Sequence, residues 1–229
     1  GLALGRNWRP HLGFGPEHEA GIALRWVATH DFSFLDPSRW DNGGTIELTL
    51  HRGVRDRRGP WEVAARASGA LGVMYDKEGD GIATDERFDG QAYGRFTAEL
   101  TGTRTSGRNR VHVRLWGGLV AADNPVVQQR QFFLNGADPY ETLHNPFLRS
   151  RGALLAGGDV HWHEPGGVNV RGLAQDVKAE AAVALTLELE RTLWTRGNGL
   201  ANRIGVALFG DIALADEEPS KGPILDRSL

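Results

Sequence analysis

The chain has 229 residues, with 26 Lys and Arg against 29 Asp and Glu, and no cysteine. A net charge of −3 gives no reason to expect a nucleic-acid partner, and the absent thiols exclude a disulfide framework, a thiolate metal site and cysteine catalysis. Glycine, at 31 residues, exceeds the usual share of about 7% and suits a chain of many turns and close strand contacts.

Strict alternation of side-chain character recurs along the chain, the signature of β-strands with two unlike faces. Ile22, Leu24, Trp26 and Ala28 oppose Gly21, Ala23, Arg25 and Val27; Ile46, Leu48 and Leu50 oppose Glu47, Thr49 and His51. Val63, Ala65, Leu71, Val73 and Tyr75 share one face over 62–75, against Arg66, Ser68 and Gly72. Phe96, Ala98 and Leu100 oppose Arg95, Thr97 and Glu99, and Val111, Val113 and Leu115 oppose His112, Arg114 and Trp116. Breaks rich in Gly, Asp, Asn and Pro separate these runs, at 41–44, 55–60, 76–81, 105–109 and 122–125. Residues 128–134 are a possible further strand. Residues 132–172 then lose the alternation, and so long an insertion in a compact domain is often functional.

Two longer strands follow. In 182–194, Val183, Leu185, Leu187 and Leu189 oppose Ala184, Thr186, Glu188 and Glu190; in 203–216, Ile204, Val206, Leu208, Ile212 and Leu214 oppose Gly205, Ala207, Phe209, Asp211 and Ala213. Seven strands are thus predicted, with no helix of 3.6 period, no internal repeat and no linker, so residues 1–229 read as a single all-β region. No run reaches the roughly 18 apolar residues of a membrane helix, a test that does not bear on β-barrels, whose strands cross with about 10 alternating residues each.

At Val168–Ala213 the chain resembles the bacterial surface antigen family, the outer-membrane assembly and translocation barrels. Members carry an [VI]RG[FY] motif on a loop folded into the lumen, then a strand with an inward Glu, then a strand reading F-x-D-x-G. Here the motif is Val170-Arg171-Gly172-Leu173, with Leu in place of the aromatic residue; the strand acid is Glu188 or Glu190; and Phe209 and Asp211 match the third element, with Ala213 for its Gly. The resemblance covers roughly the last third of the chain. It implies an antiparallel up-and-down transmembrane β-barrel in which 132–172 folds toward the lumen. It also implies a loop lock of Arg171, Gly172, Glu188, Phe209 and Asp211. Further strands follow the F-x-D-x-G strand in the family, whereas this chain ends in GPILDRSL and begins at Gly1. The expectation is therefore an incomplete portion of a larger barrel, processed or excised, with other polypeptide closing the sheet.

Other candidate chemistry is sparser. Asp76, Glu78 and Asp80 precede Gly81 as in a calcium loop, but position 12 is Arg87 and no helices flank the segment. His161, His163 and Glu164 set two imidazoles and a carboxylate close enough for zinc, in a Gly/Pro-rich loop. A solvated loop is the competing reading of both. HExxH, GxSxG and GxxxxGK[ST] are absent, and no cofactor is expected. Trp26, Tyr75, Tyr93, Trp116 and Trp194 suit either interfacial girdles or core filling.

The function implied is non-enzymatic: a translocation or assembly barrel in the bacterial outer membrane, or a membrane anchor for an exported N-terminal domain. Its partners would be outer-membrane lipid and polypeptide completing the barrel. A soluble β-barrel or sandwich holding a small apolar ligand is the alternative from another class, and a catalytic domain using the His161/His163 site is a third. The faces discriminate: aliphatic side chains point outward in a membrane barrel and inward in a soluble one.

Overall fold

The computed structural model describes residues 2–8, 16–29, 43–75, 90–122, 126, 130–134, 168–171, 177–195 and 203–216. Among these there is no α-helix, and nearly all lie in antiparallel β-structure. The strands are β1 (Leu2–Trp8), β2 (Glu17–Thr29), β3 (Gly43–Arg58), β4 (Trp61–Tyr75), β5 (Gln91–Ser106), β6 (Asn109–Ala122), β7 (Phe132–Phe133), β8 (Lys178–Ala179), β9 (Ala181–Thr195) and β10 (Arg203–Asp216). Eight of them form one sheet in the order β1-β2-β3-β4-β5-β6-β9-β10, and β7 pairs with β8 in a separate two-stranded sheet. The main sheet is open: β1 and β10 are its edges, and nothing joins them among the described residues.

Two differences from the sequence reading stand out. The main sheet has an eighth strand, β1, whose seven residues pair with β2 from Leu2↔Trp26 to Trp8↔Ala20. The described part of 128–134, residues 130–134, adds no strand to the main sheet; within it Phe132 and Phe133 are extended, and they pair with Ala179 and Lys178.

Neighbouring strands meet in an up-and-down meander, and their connections differ by end. At one end β3 and β4 are joined through 59–60, and β5 and β6 through 107–108. Gly59 and Gly107 take positive φ, at 62° and 57°, as tight turns require. At the other end β2 and β3 are separated by 30–42, β4 and β5 by 76–90, and β6 and β9 by 123–180, which includes β7 and β8. In β9, Leu193 is an extra residue that forms a bulge: Trp194 pairs with Ile204 and Thr192 with Gly205.

The two faces of the sheet are sorted by polarity. Leu24, Leu48, Leu50, Leu71, Phe96, Leu100, Leu115, Leu185, Leu187, Val206 and Leu208 are exposed, with Leu208 at 74%. Their alternates turn inward, where Glu47 (1%), Arg114 (3%) and Glu188 (4%) are buried. Val113 and Arg95 are half-buried.

The inner face is not polar throughout. Met74, Tyr93, Trp116, Val120, Ala182 and Ala184 project from it and pack against Val126, Phe132, Leu134 and Val168, which come from the segments between β6 and β9. Tyr93 and Trp116 are therefore core residues and not interfacial girdle, whereas Trp26 and Trp194 are exposed. Phe132 meets Trp116 edge-on, with centroids 5.0 Å apart, and the Arg95 guanidinium carbon lies 4.4 Å from the Phe132 ring centroid. The close approach needs Gly118, since a Cβ there would come within 2.5 Å of the Phe132 ring.

Candidate functional site

The described parts of the segment between β6 and β9 are tied to one another and to β6 by backbone hydrogen bonds. Leu134 N–H donates to Val177 O at 3.0 Å, Val170 N–H to Leu134 O at 2.7 Å, and Val120 N–H to Glu180 O at 2.7 Å. The returning chain turns at Asn169, a non-glycine residue with φ of 62°, a conformation that Asn tolerates better than most. Residues 168–171 thereby face the inner side chains of β6, β9 and β10.

Arg171 lies at the centre of this contact. Its Nε and Nη2 donate to Asp211 Oδ2 and Oδ1 at 2.7 and 2.8 Å, a bidentate fork. Its Nη1 donates to Glu188 Oε2 at 3.1 Å, and its backbone N–H donates to Asp211 Oδ2 at 3.0 Å. The guanidinium carbon stands 3.7 Å from the Phe209 ring centroid, within cation–π range. The side chains of Arg171, Glu188 and Asp211 are 15%, 5% and 4% exposed. Burial works against the charge of Arg171, but hydrogen bonds and charge from Asp211, then from Glu188, more than offset it and raise its pKa above the ordinary value.

The strands explain why these groups meet. Glu188 and Phe209 are direct partners across β9 and β10, and Asp211 opposes Thr186, one inward position along. Glu190, the other candidate, opposes Ala207 and Arg110, farther toward the β5–β6 turn, and Arg171 reaches Glu188 instead. Gly172 and Leu173 lie outside the described residues, as do Asp76, Glu78, Asp80, His161, His163 and Glu164. Among the described residues no group of three His, Asp or Glu side chains is placed to hold a metal ion.

Two further ion pairs hold the same segment, and sequence reasoning did not single them out. Arg114 donates through Nε to Glu99 Oε2 at 2.8 Å and through Nη1 to the Val168 carbonyl at 2.7 Å. Arg130 Nη2 lies 2.8 Å from Glu47 Oε2, with both side chains at 2% exposure or less. Glu47 also accepts from Tyr93 Oη at 2.7 Å and from Thr49 Oγ1 at 3.2 Å. Tyr93 reaches Glu47 by lying flat over Gly72, where a Cβ would come 2.7 Å from the ring. The signal available in sequence was a mid-strand acid, Glu47, between the outward Ile46 and Leu48. Its partner at position 130 has no local mark.

Chemically, the site is a set of buried ion pairs, with Arg171 shared by two carboxylates. Beside it, Thr103 Oγ1 lies 2.9 Å from His112 Nδ1, and among the described residues there is no group of three side chains placed as metal ligands. The arrangement of ion pairs suits fixing one segment of chain against a wall. No family model, no curated protein and no solved structure matches the chain.

Proposed function

We propose that this chain forms part of an outer-membrane β-barrel of the surface-antigen type, in which the segment between β6 and β9 is locked against the inner wall. The barrel serves as a translocation or assembly channel, or anchors an exported domain in the membrane. The carrying observation is the inverted sorting of the two faces. Leucines and valines stand exposed on one face, while Glu47, Arg114, Arg130 and Glu188 are buried on the other. A soluble monomer rarely leaves a contiguous apolar patch larger than a few hundred Å². Fully burying each leucine is worth about 1.5–3 kcal/mol, and a hydrocarbon environment supplies that gain with no protein core on the outer side.

The dimensions agree with this reading. The outward run of β10, Ile204, Val206, Leu208, Gly210, Ile212 and Leu214, carries no charge. At about 3.3 Å per residue it spans about 33 Å along the strand. Tilted by about 40°, it covers about 25 Å of height, the thickness of the apolar band in outer-membrane barrels. The alternation of short connections at one end with long ones at the other also follows the barrel pattern of short turns opposite long loops. The open edges at β1 and β10 need pairing before they meet lipid, which calls for further polypeptide.

The test is insertion. Full-length chain refolded with zwitterionic phospholipid vesicles should float with them and run as a compact, heat-modifiable band. A chain that stays monodisperse in buffer without detergent, and does not float, would overturn the membrane reading in favour of a soluble barrel or sandwich.

A further inference from the structure

Large side chains cover most of the outer face, and a depression interrupts them among the described residues. It is a groove of ≈ 780 Å³ whose lining includes Arg52, Ala67, Ala98, Gly117 and Val183, which the strand register places in one row across β3, β4, β5, β6 and β9. Val54, Leu100 and Leu115, the next outward row on one side, also line it. Leu50, Phe96 and Leu119 form the next outward row on the other side. Four strand spacings of about 4.8 Å give the row a length of about 19 Å. The hydrocarbon of one leaflet is about 15 Å deep, so the groove has the length of an extended fatty acyl chain. Its volume falls within the range of about 300–1,000 Å³ usual for small-molecule sites.

One end of the groove is cationic. Arg52 closes it together with His18, and both side chains are exposed. Arg52 stands inside β3, and its outer-face neighbours are Ala20, Leu50, Val54 and Ala67, none of them acidic. The other outward charges of β3, β5 and β9 stand near strand ends. Arg58 pairs with Asp56 at 2.5 Å at the end of β3, Arg104 is near the end of β5, and Arg191 opposes Asn109, the first residue of β6. A charge on a lipid-facing wall is destabilising in proportion to its depth unless it snorkels or meets an anion.

We propose that this groove is a lipid site: it holds one acyl chain of an anionic glycerophospholipid, whose phosphodiester is bound by Arg52 with His18 beside it. This rests on the membrane reading of the chain. The apolar floor accepts the hydrocarbon, and the guanidinium fork matches two phosphate oxygens. His18 adds an N–H donor. An uncharged headgroup offers the same hydrocarbon without the net negative charge.

The experiment uses the full chain in dodecylmaltoside micelles with equimolar phosphatidylglycerol and phosphatidylcholine, counting retained lipid by mass spectrometry. The wild type should retain phosphatidylglycerol about fivefold over phosphatidylcholine, the bias expected of one basic side chain near anionic lipid. Arg52→Ala should bring the ratio to about one, Ala98→Leu should lower retention of both lipids, and Arg104→Ala, off the groove, should change neither. Equal retention by the wild type, or an unchanged ratio in Arg52→Ala, overturns the lipid site. Flotation of the same proteins refolded without detergent into phosphatidylcholine vesicles separates the two ideas. Protein that floats without selectivity refutes only the lipid site, whereas protein that floats with no vesicle refutes the membrane reading and the site with it.

Discussion

Arg171→Ala removes the fork to Asp211, the bond to Glu188 and the stack on Phe209, but leaves the backbone N–H that also reaches Asp211. Breaking a buried pair from one side costs about 3–5 kcal/mol. Exposed pairs are worth about 0–1 kcal/mol. At 15% exposure Arg171 lies nearer the buried limit, so an intermediate loss of about 2–4 kcal/mol is expected. That raises the population of the released segment by roughly 30- to 700-fold, at 1.4 kcal/mol per tenfold. The two carboxylates left behind repel each other, which drives the segment farther from the wall. The strands lose no ladder hydrogen bond, so the wall itself should persist.

Hydrogen exchange separates these effects. In micelles, the amides of Val170 and Arg171, which donate to Leu134 O and Asp211 Oδ2, should lose protection in the variant. The amides of β5 and β6 should keep theirs, and circular dichroism should report unchanged strand content. Arg171→Lys, which keeps the charge but not the fork, should fall between. Unchanged exchange at Val170 in Arg171→Ala would refute the lock. So would simultaneous loss of loop and strands, because it would place Arg171 in the folding core.

Other expectations follow from the same geometry. Glu47→Gln leaves the Arg130 charge buried without its counter-ion and should destabilise the chain by about 3–5 kcal/mol in urea titrations. Gly72→Ala places a methyl 2.7 Å from the Tyr93 ring and should cost about 1–3 kcal/mol while breaking the Tyr93–Glu47 bond. A matched loss of Tyr93 protection in ultraviolet difference spectra would check it. Leu185→Arg should cost about 2–4 kcal/mol in vesicles if that face meets lipid near the midplane. A change within about 0.5 kcal/mol, as at an ordinary wet surface, would speak against a membrane.

Much of the sheet is legible because period two is a strong signal in long strands. Every run of alternation read between 22 and 216 is a strand of the main sheet, and Val183 to Leu189 alternates in exposure as it does in character. β1 is not legible for the converse reason. It spans seven residues, Gly5, Arg6 and Asn7 dilute its apolar positions, and its pairing with β2 defines it more than its own composition does. At the site, Arg171, Glu188, Phe209 and Asp211 could be named together through a resemblance that spans adjacent strands. The Glu47–Arg130 pair could not, because its members are far apart in sequence and Arg130 sits in a stretch without periodicity. Nor could the apolar patch on the inner face. The sequence marks which residues share a face, and it is the folded-in Phe132 and Leu134 that turn part of that face into a core.

Alternation says which side chains share a face but not which face is turned inward, and here the two questions have linked answers. An inward acid such as Glu188 or Glu47 is stable under cover only with a cation and hydrogen bonds to replace water. Part of that supply comes from the wall: Arg114 on β6 pairs with Glu99 on β5. Arg25 on β2 also comes within 3.8 Å of Glu47, but the shorter contacts to the more deeply buried acids come from elsewhere. Arg130 and Arg171, both on the segment between β6 and β9, bring their charges to Glu47, Glu188 and Asp211. The segment is thus the electrostatic complement of the wall as well as its apolar packing. Without it, the inward acids of β3, β9 and β10 would stand without these counter-ions, and the balance favouring leucines outward would weaken. The orientation of the sheet and the docking of the segment are therefore two aspects of one energetic choice.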